Sequence, residues 1–384
     1  MRRVTDTPYF SRRIGPLPKG CRLCVKGAKL VLLATGVCPR KCWYCPLSER
    51  KKNKDVVVAN EWWVKSDRDI VKEAQLCEAE GAGITGGDPL CRLKRTVHYI
   101  RLLKRRFGSG FHIHLYATTK LATPNALKRL HGAHLDEIRF HPDFISGKPD
   151  LRPVEEALKY EWDVGCEIPV IPGYMRQTKE FIKAIDSIGV GFLNLNQFEV
   201  SETNAYGLER RGYTAENDIS FAVKGSRRMA DQLLIWCARN TRLRVHYCTV
   251  RLKDGVQLRN RLKRRAKNVA REFDIVTGEG LLVRGAFYHG KTIPAYGYGR
   301  ALDGMRPGAN ARILTSLNAL RRRLMRDYGV PSGLIEVDAR RLRILTGAWV
   351  AEELARPART LGLMPTVVEE YPTWDGLITD LKRL

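Results

Sequence analysis

The chain contains no run of about 18 uncharged apolar residues, so no membrane-spanning helix is expected. It has no internal repeat and no low-complexity stretch, which excludes a solenoid array or a compositionally biased tail. Residues 1–18 are basic and interrupted by proline without a long apolar segment. They do not read as a signal peptide, and the expected compartment is the cytoplasm. Acidic residues are in short supply: 41 Asp and Glu stand against 67 Lys and Arg, a formal net charge of +26. Such a charge says little about fold but attracts polyanions, and on charge alone nucleic acid leads the partner classes. Arg-rich surfaces also occur on heat-adapted proteins, so this is a prior about partners and nothing more.

What is present is a globular composition, 44% hydrophobic and 28% charged over 384 residues, enough for two or three domains. The ten cysteines are many for a cytosolic chain. In a reducing compartment they point to metal or redox use before structural disulfides.

Residues 29–250 repeat one rhythm of short apolar run, turn and helical pattern. Strands are expected at 30–35, 83–85, 111–118, 137–141, 167–171, 192–199 and 244–249. Helices are expected at 67–80, 93–107, 124–134, 154–163, 178–188 and 216–239. Alternation at this spacing argues for a parallel α/β sheet, and six or seven such units suit a curved sheet. In 111–118 one face carries His112, His114, Tyr116 and Thr118 and the other is apolar. A buried parallel strand is ordinarily apolar on both faces. Arg139 with His141, and Asn194 with Asn196, interrupt two later strands in the same way. Three polar-faced strands predict a polar, wetted lumen, whereas any single one could be a satisfied core residue.

The segment 251–272 is dominated by cations, among them Arg259, Arg261, Lys263, Arg264, Arg265 and Lys267. Leu252, Leu258, Leu262, Ala266 and Val269 supply an apolar stripe, so a docked basic helix is expected. Its outer side is either a solvated face or a polyanion-binding surface. Residues 273–384 read as a small α+β domain: a hairpin near 278–280, a helix over 311–328, then strand, helix and strand.

The most informative segment is Cys38-Pro39-Arg40-Lys41-Cys42-Trp43-Tyr44-Cys45. Four-iron clusters are held by cysteine thiolates, usually four. Three from one loop leave an iron open to a further ligand. The alternative, a zinc loop, usually pairs two C-x2-C knuckles, and C-x3-C-x2-C matches that poorly.

This spacing, with an aromatic before the last cysteine and a position just after the first strand, resembles the signature of the radical S-adenosylmethionine (SAM) superfamily. Gly83-Ile84-Thr85-Gly86-Gly87-Asp88-Pro89, at the end of the second strand, resembles that superfamily's Gly-Gly-Glu/Asp-Pro motif. The layout is also similar to an archaeal group of radical SAM proteins related to pyruvate formate-lyase activating enzyme. The matching segments are 20–24, 83–90, 138–142, 193–204, 246–248 and 368–373. The resemblance implies a partial (β/α)6–7 TIM-like barrel, active at the strand C-terminal ends, ahead of the small α+β domain. It divides the chain into an N-terminal extension 1–28, a core 29–250, the basic segment 251–272 and the domain 273–384.

The resemblance further implies a [4Fe–4S] cluster on Cys38, Cys42 and Cys45, with SAM chelating the open iron and an electron cleaving it to a 5′-deoxyadenosyl radical. It assigns Tyr44 to SAM's adenine, and Gly86, Gly87 and Asp88 to its amino-acid end. The fifth-strand motif 167–173 departs from the usual glycine-spaced form and makes Ile171 an adenine contact. Asn194 and Asn196 face the ribose or carboxylate, or are satisfied core amides. An electron donor such as ferredoxin or flavodoxin is implied.

Cys21 and Cys24 form a C-x2-C knuckle, and His246 and Cys248 lie two apart on the last strand. First and last strands approach each other in a nearly closed barrel, so these four could hold zinc or an auxiliary iron–sulfur cluster, or be buried thiols. Cys77, Cys91, Cys166 and Cys237 read as core residues, with Cys91 close in sequence to Asp88. Three functions remain open. The charge favours RNA modification, with tRNA the leading substrate. An activase that abstracts hydrogen from a protein glycine, or modifies another protein or metabolite, is the second. A non-catalytic iron–sulfur RNA-binding or electron-transfer protein is the third.

Overall fold

The structure, a computed structural model, describes residues 2–217, 220–294 and 307–384. Contacts divide the chain into two compact units, one ending at Arg261 and the other spanning Leu262–Leu384.

The first unit is built on seven parallel strands: β3 (Lys29–Thr35), β6 (Gly81–Gly86), β7 (His112–Ala117), β8 (Glu137–Phe140), β9 (Asp163–Val170), β10 (Phe192–Gln197) and β11 (Arg244–Cys248). They lie in the order β3-β6-β7-β8-β9-β10-β11. Five expected helices recur between them as α2 (Asp67–Leu76), α3 (Leu93–Phe107), α4 (Pro124–His131), α5 (Arg152–Ala157) and α6 (Met175–Ser187). Local chemistry sets several boundaries. The Ser66 amide donates to Asp69 Oδ2 at 2.9 Å to open α2. Thr123 Oγ1 accepts from the Ala126 amide at 3.2 Å to open α4. After the short α7 (Ala205–Glu209), the helix expected from residue 216 begins later, as α8 (Ser226–Asn240), entered through Gly225 at φ +86°. Residues 218 and 219 of that expectation lie outside the described residues.

Strand residues facing away from the interior, such as Ile84, Leu115, Ile138, Leu195 and Val245, join Ile100, Leu127, Ile182 and Leu234 of the helices in one buried cluster. Each such fully buried aliphatic side chain contributes about 1.5–3 kcal/mol.

The sheet does not close on itself. A hairpin of β1 (Val4–Asp6) and β2 (Arg12–Ile14) pairs antiparallel with β11 at one edge. Short strands β4 (Val58–Ala59) and β5 (Trp62–Trp63) extend β3 at the other. Helix α1 (Lys19–Val25) packs against β6 and β7. A Cβ at Gly20 would fall 2.5 Å from His114 Nδ1 and 2.6 Å from Arg139 Nη2, so glycine permits this close approach. The polar strand faces do meet in the interior and are buried there, His112, His114, Arg139, Asn194 and His246 each at most 3% exposed. Arg139 and Asn194 bond to Glu167 and Cys21, while His112 Nδ1 and His246 Nδ1 have no partner among the described residues.

After β11 the chain is helical through Val250–Leu252, a widened π-type turn at Lys253–Leu258, and α10 (Arg259–Val269). The second unit has an antiparallel sheet with strands at Ile335–Asp338, Arg343–Thr346, Leu282–His289, Leu363–Glu370 and Ile378–Arg383, in that spatial order. A helix at Pro307–Tyr328 contributes Ile313, Leu317 and Leu324 to its core beside Phe287 and Ile344. The expected hairpin is present, with Ile275–Val276 pairing antiparallel to Val283 and Leu282. Buried Arg343 and Arg284 both donate to Glu370 Oε1, at 2.8 and 3.1 Å.

Candidate functional site

The loop carrying Cys38, Cys42 and Cys45 leaves the C-terminal end of β3 and is held from three directions by groups other than its thiols. On the β6 side, the Gly87 amide donates to the Thr35 carbonyl and the Asp88 amide to the Val37 carbonyl, both at 2.8 Å. A Cβ would lie 2.2 Å from the Thr35 oxygen at Gly86, and 2.4 Å from the Val37 oxygen at Gly87. Both glycines are therefore explained by backbone lying on backbone. On the β8 side, Arg40 Nη1 donates to the His141 carbonyl at 2.8 Å, and Tyr44 Oη lies 2.9 Å from His141 Nε2. His141 Nδ1 lies 2.8 Å from the Glu167 carbonyl, which can only accept. Nδ1 therefore carries the proton and Tyr44 donates to Nε2. Burial, with Arg40 beside it, pushes the His141 pKa down to about 4, so the ring is neutral. Beyond β10, Asn204 Nδ2 donates to the Tyr44 carbonyl at 3.2 Å and Thr203 Oγ1 to the Cys45 carbonyl at 3.3 Å.

The three thiols are free and half-buried. Burial pushes the Cys38 thiol up to about 11, with Asp88, Cys42 and Cys91 adding to the shift, and burial also raises Cys42. Among the described residues no three His, Cys, Asp or Glu side chains form a group that could hold a single metal ion. A four-iron cube presents a different iron to each thiolate, so its ligands stand further apart than those around one ion. Three thiols outside any disulfide, on a loop whose backbone is anchored by other groups, fit such a cluster. They do not fit a mononuclear zinc site.

Tyr44 and Ile171, both expected near adenine, are brought together in one apolar cluster with Phe198, Leu208 and Val223. Asp88 is fully buried. Its Oδ1 accepts from the Leu90 amide at 2.9 Å and its Oδ2 from the Thr118 amide and hydroxyl at 3.1 and 2.5 Å. This carboxylate braces the turn beside the cysteine loop, and the structure does not present it as a free acceptor for an ammonium. Asn194 and Asn196 likewise each donate from Nδ2 to the Glu167 carboxylate at 2.8 Å. Asn194 uses its second N–H on Cys21 Sγ at 3.3 Å and is spent within the interior network, whereas half-buried Asn196 keeps its second N–H for a ligand.

The four residues considered for a second metal are not assembled around one point. Cys21 Sγ accepts from Asn194 Nδ2 at 3.3 Å and from Arg139 Nη2 at 3.4 Å. Cys24 is half-buried on the same helix. His246 Nε2 faces Ser11 Oγ at 3.3 Å, and Cys248 packs with Val25, Leu252 and Val256. Of the six cations proposed to face phosphate, Arg261 makes a two-pronged ion pair with Glu61 at 2.6 and 2.7 Å, and Arg265 is buried. Arg259 and Arg264 are half-buried, while Lys263 and Lys267 are exposed. The stripe that docks the helix takes two of its cations inward.

Thr118, Thr203 and Asn204 were not singled out as site residues from the sequence. Thr118 carries a weak signal, as the last polar residue on its strand face. Thr203 and Asn204 act through backbone carbonyls, for which spacing gives no sign. Gly87→Ala tests the contact directly: with the methyl driven onto the Val37 carbonyl, stability should fall by about 1–3 kcal/mol. Iron bound after anaerobic reconstitution should fall with it, measured by denaturant unfolding and metal content. Full iron loading at unchanged stability would show that the turn can move aside.

Comparison with known proteins agrees with this arrangement. The model of the radical SAM superfamily matches residues 32–183, and one described as a domain of unknown function (DUF8061) matches 312–381. A protein of Methanocaldococcus jannaschii, provisionally named a glycyl-radical enzyme activating enzyme, is 43% identical over 290 residues, covering 72% of this chain and 75% of the relative. Among solved structures, Streptococcus suis SuiB bound to its precursor peptide SuiA is 14% identical, covering 58% of this chain and 48% of its own length, at a TM-score of 0.41. The match thus takes in about half of SuiB. Coproporphyrinogen III oxidase (HemN) from Escherichia coli is 9% identical, covering 90% and 94%, at a TM-score of 0.37. With a cysteine loop at the end of the first parallel strand, a Gly-Gly-Asp turn locked onto it, and close identity along three quarters of a relative, the chain belongs to the radical SAM superfamily.

Proposed function

We propose that the protein is an activase, an enzyme that removes a hydrogen atom from the Cα of a glycine in a partner protein. The observation that carries this reading is the 43% identity to a relative provisionally named as such an enzyme. Held on Cys38, Cys42 and Cys45, a cluster with SAM would supply a 5′-deoxyadenosyl radical, one electron from a ferredoxin- or flavodoxin-type donor breaking the sulfonium C–S bond with methionine as the leaving group. The chain's own residues supply placement. His141, Asn204 and the Gly86-Gly87-Asp88 turn set the cysteine loop, and Tyr44 with Ile171 offers an apolar wall of the kind an adenine ring packs against. The partner's glycine would give its Cα hydrogen to that radical, leaving 5′-deoxyadenosine and a glycyl radical.

RNA modification stands behind this reading. Its support is the net charge of +26, and two of the six cations it relied on are turned inward. The deciding experiment is anaerobic incubation of reconstituted protein with SAM, reductant and, separately, total RNA or soluble protein from a source cell. Deoxyadenosine release stimulated by the protein fraction, with a glycyl-radical doublet in the EPR spectrum, is expected. Stimulation by RNA alone would overturn the activase reading.

A further inference from the structure

A cavity of about 320 Å3 opens away from the interior, between the β1–β2 hairpin, the C-terminal ends of β10 and β11, and the first turns of α8. Side chains alternate along β11, so Tyr247 faces this outer side while His246 and Cys248 face inward. Tyr247 is 1% exposed, and its hydroxyl has no hydrogen-bond partner among the described residues. Buried hydroxyls are hydrogen-bonded as a rule, so an orphan lining a cavity marks a place for a polar ligand group.

The charges around it narrow the class. Among the described residues, three arginines, Arg12, Arg227 and Arg251, are matched by Asp6, Glu216 and Asp231, so these lining residues offer no surplus positive charge to attract a phosphate. Arg12 is committed to Asp231 at 2.7 Å and to Asp6 at 3.1 Å. The Arg251 guanidinium lies 3.7 Å from the centre of the Phe10 ring. Arg227 and Glu216 have no ion-pair partner among the described residues, yet both act electrostatically on Tyr247. Phe10 is held at φ +60°, a left-handed conformation costly for a bulky residue, with its carbonyl accepting from Thr249 Oγ1 at 2.8 Å. Its half-exposed ring and Val250 give the cavity an apolar side.

We propose that this cavity binds a free α-amino acid with a polar side chain. The carboxylate pairs with Arg227, the ammonium with Glu216, the side-chain stem lies against Phe10 and Val250, and the polar end reaches the Tyr247 hydroxyl. The site is on the opposite face of the sheet from the interior network and does not depend on the activase reading.

Equilibrium dialysis of the full chain against L-glutamine, L-glutamate and L-serine tests it, with the N-acetyl amides of the same amino acids and inorganic phosphate as controls. One-site saturable binding of at least one free amino acid is expected, with its N-acetyl amide at least about tenfold weaker because both head-group charges are gone. Arg227→Met and Glu216→Gln, both exposed rim positions, should each weaken binding about tenfold. Tyr247→Phe removes one oxygen and should weaken the polar amino acid without affecting L-alanine. Thermal melting of each variant separates lost binding from lost folding. The proposal falls if none of the three binds below about 10 mM, a limit of barely 3 kcal/mol. It also falls if phosphate or the N-acetyl amides bind equally well, or if correctly folded variants bind as the parent does.

Discussion

Replacing Cys38, Cys42 and Cys45 together by alanine will leave a folded protein that retains no [4Fe–4S] cluster on this loop and cleaves SAM only at the background rate. Folding survives because the loop's backbone is anchored by other groups: the Gly87 and Asp88 amides, Arg40, Tyr44, Thr203 and Asn204. None of those bonds uses a thiol. Truncating half-exposed cysteines removes little packing, and a change in stability below about 1 kcal/mol is expected. Iron content, the cluster's visible absorption and deoxyadenosine release all report on the same loss. SAM cleavage at the parent rate in the triple variant would remove the basis for assigning the cluster to these residues.

The seven parallel strands and the cysteine loop were legible in the sequence because their signals are local. Short apolar or alternating runs of three to eight residues mark the strands, and the loop's chemistry lies within eight positions. The alternation of His112, His114 and Tyr116 likewise announced an inward polar face. What spacing could not reveal was which group each polar side chain meets. Asp88 finds Thr118, 30 positions away, and Asn194 finds Glu167, 27 away. Each partner is chosen by strand order, which becomes available only once the sheet is assembled. The same limit explains Gly86 and Gly87. Their sequence pattern correctly marked a close approach, but what approaches is the backbone of residues 35–37. The basic helix was legible as a helix, while the inward turn of Arg261 depends on Glu61, which lies 200 positions earlier.

The interior network predicts the largest change in stability. Arg139 is 2% exposed and donates through Nε to Glu137, through Nη1 to Glu167 at 3.0 Å and Tyr116 Oη at 3.2 Å, and through Nη2 to Cys21. Burial alone would raise the Glu137 and Glu167 pKa values, but it is outweighed by the Arg139 charge together with Lys29 and His112 at Glu137, and together with the Asn194 and Asn196 amides at Glu167, so both are lowered. Their contribution to stability is therefore present above the unfolded value near 4.3 and is lost as pH falls through the lower folded values. Arg139→Met keeps most of the stem and removes the charge, leaving two carboxylates without their main partner. Removal of one member of a buried ion pair costs about 3–5 kcal/mol, and that loss is expected at pH 7 in urea unfolding. The sign of the pH dependence then reverses. With its largest opposing charge gone and only Lys29 and His112 left against burial, the Glu137 pKa should rise above its unfolded value, and the folded variant then takes up a proton as pH falls. The deficit against the parent should therefore shrink between pH 7 and about pH 5. Adding Glu137→Gln to Arg139→Met should recover part of the loss, a coupling read from the double-mutant cycle. A deficit that is equal at both pH values and unrelieved by Glu137→Gln would assign it to packing instead. The guanidinium lies 5.5 Å from the ring centres of both Tyr116 and Phe192, and losing those contacts is insensitive to pH.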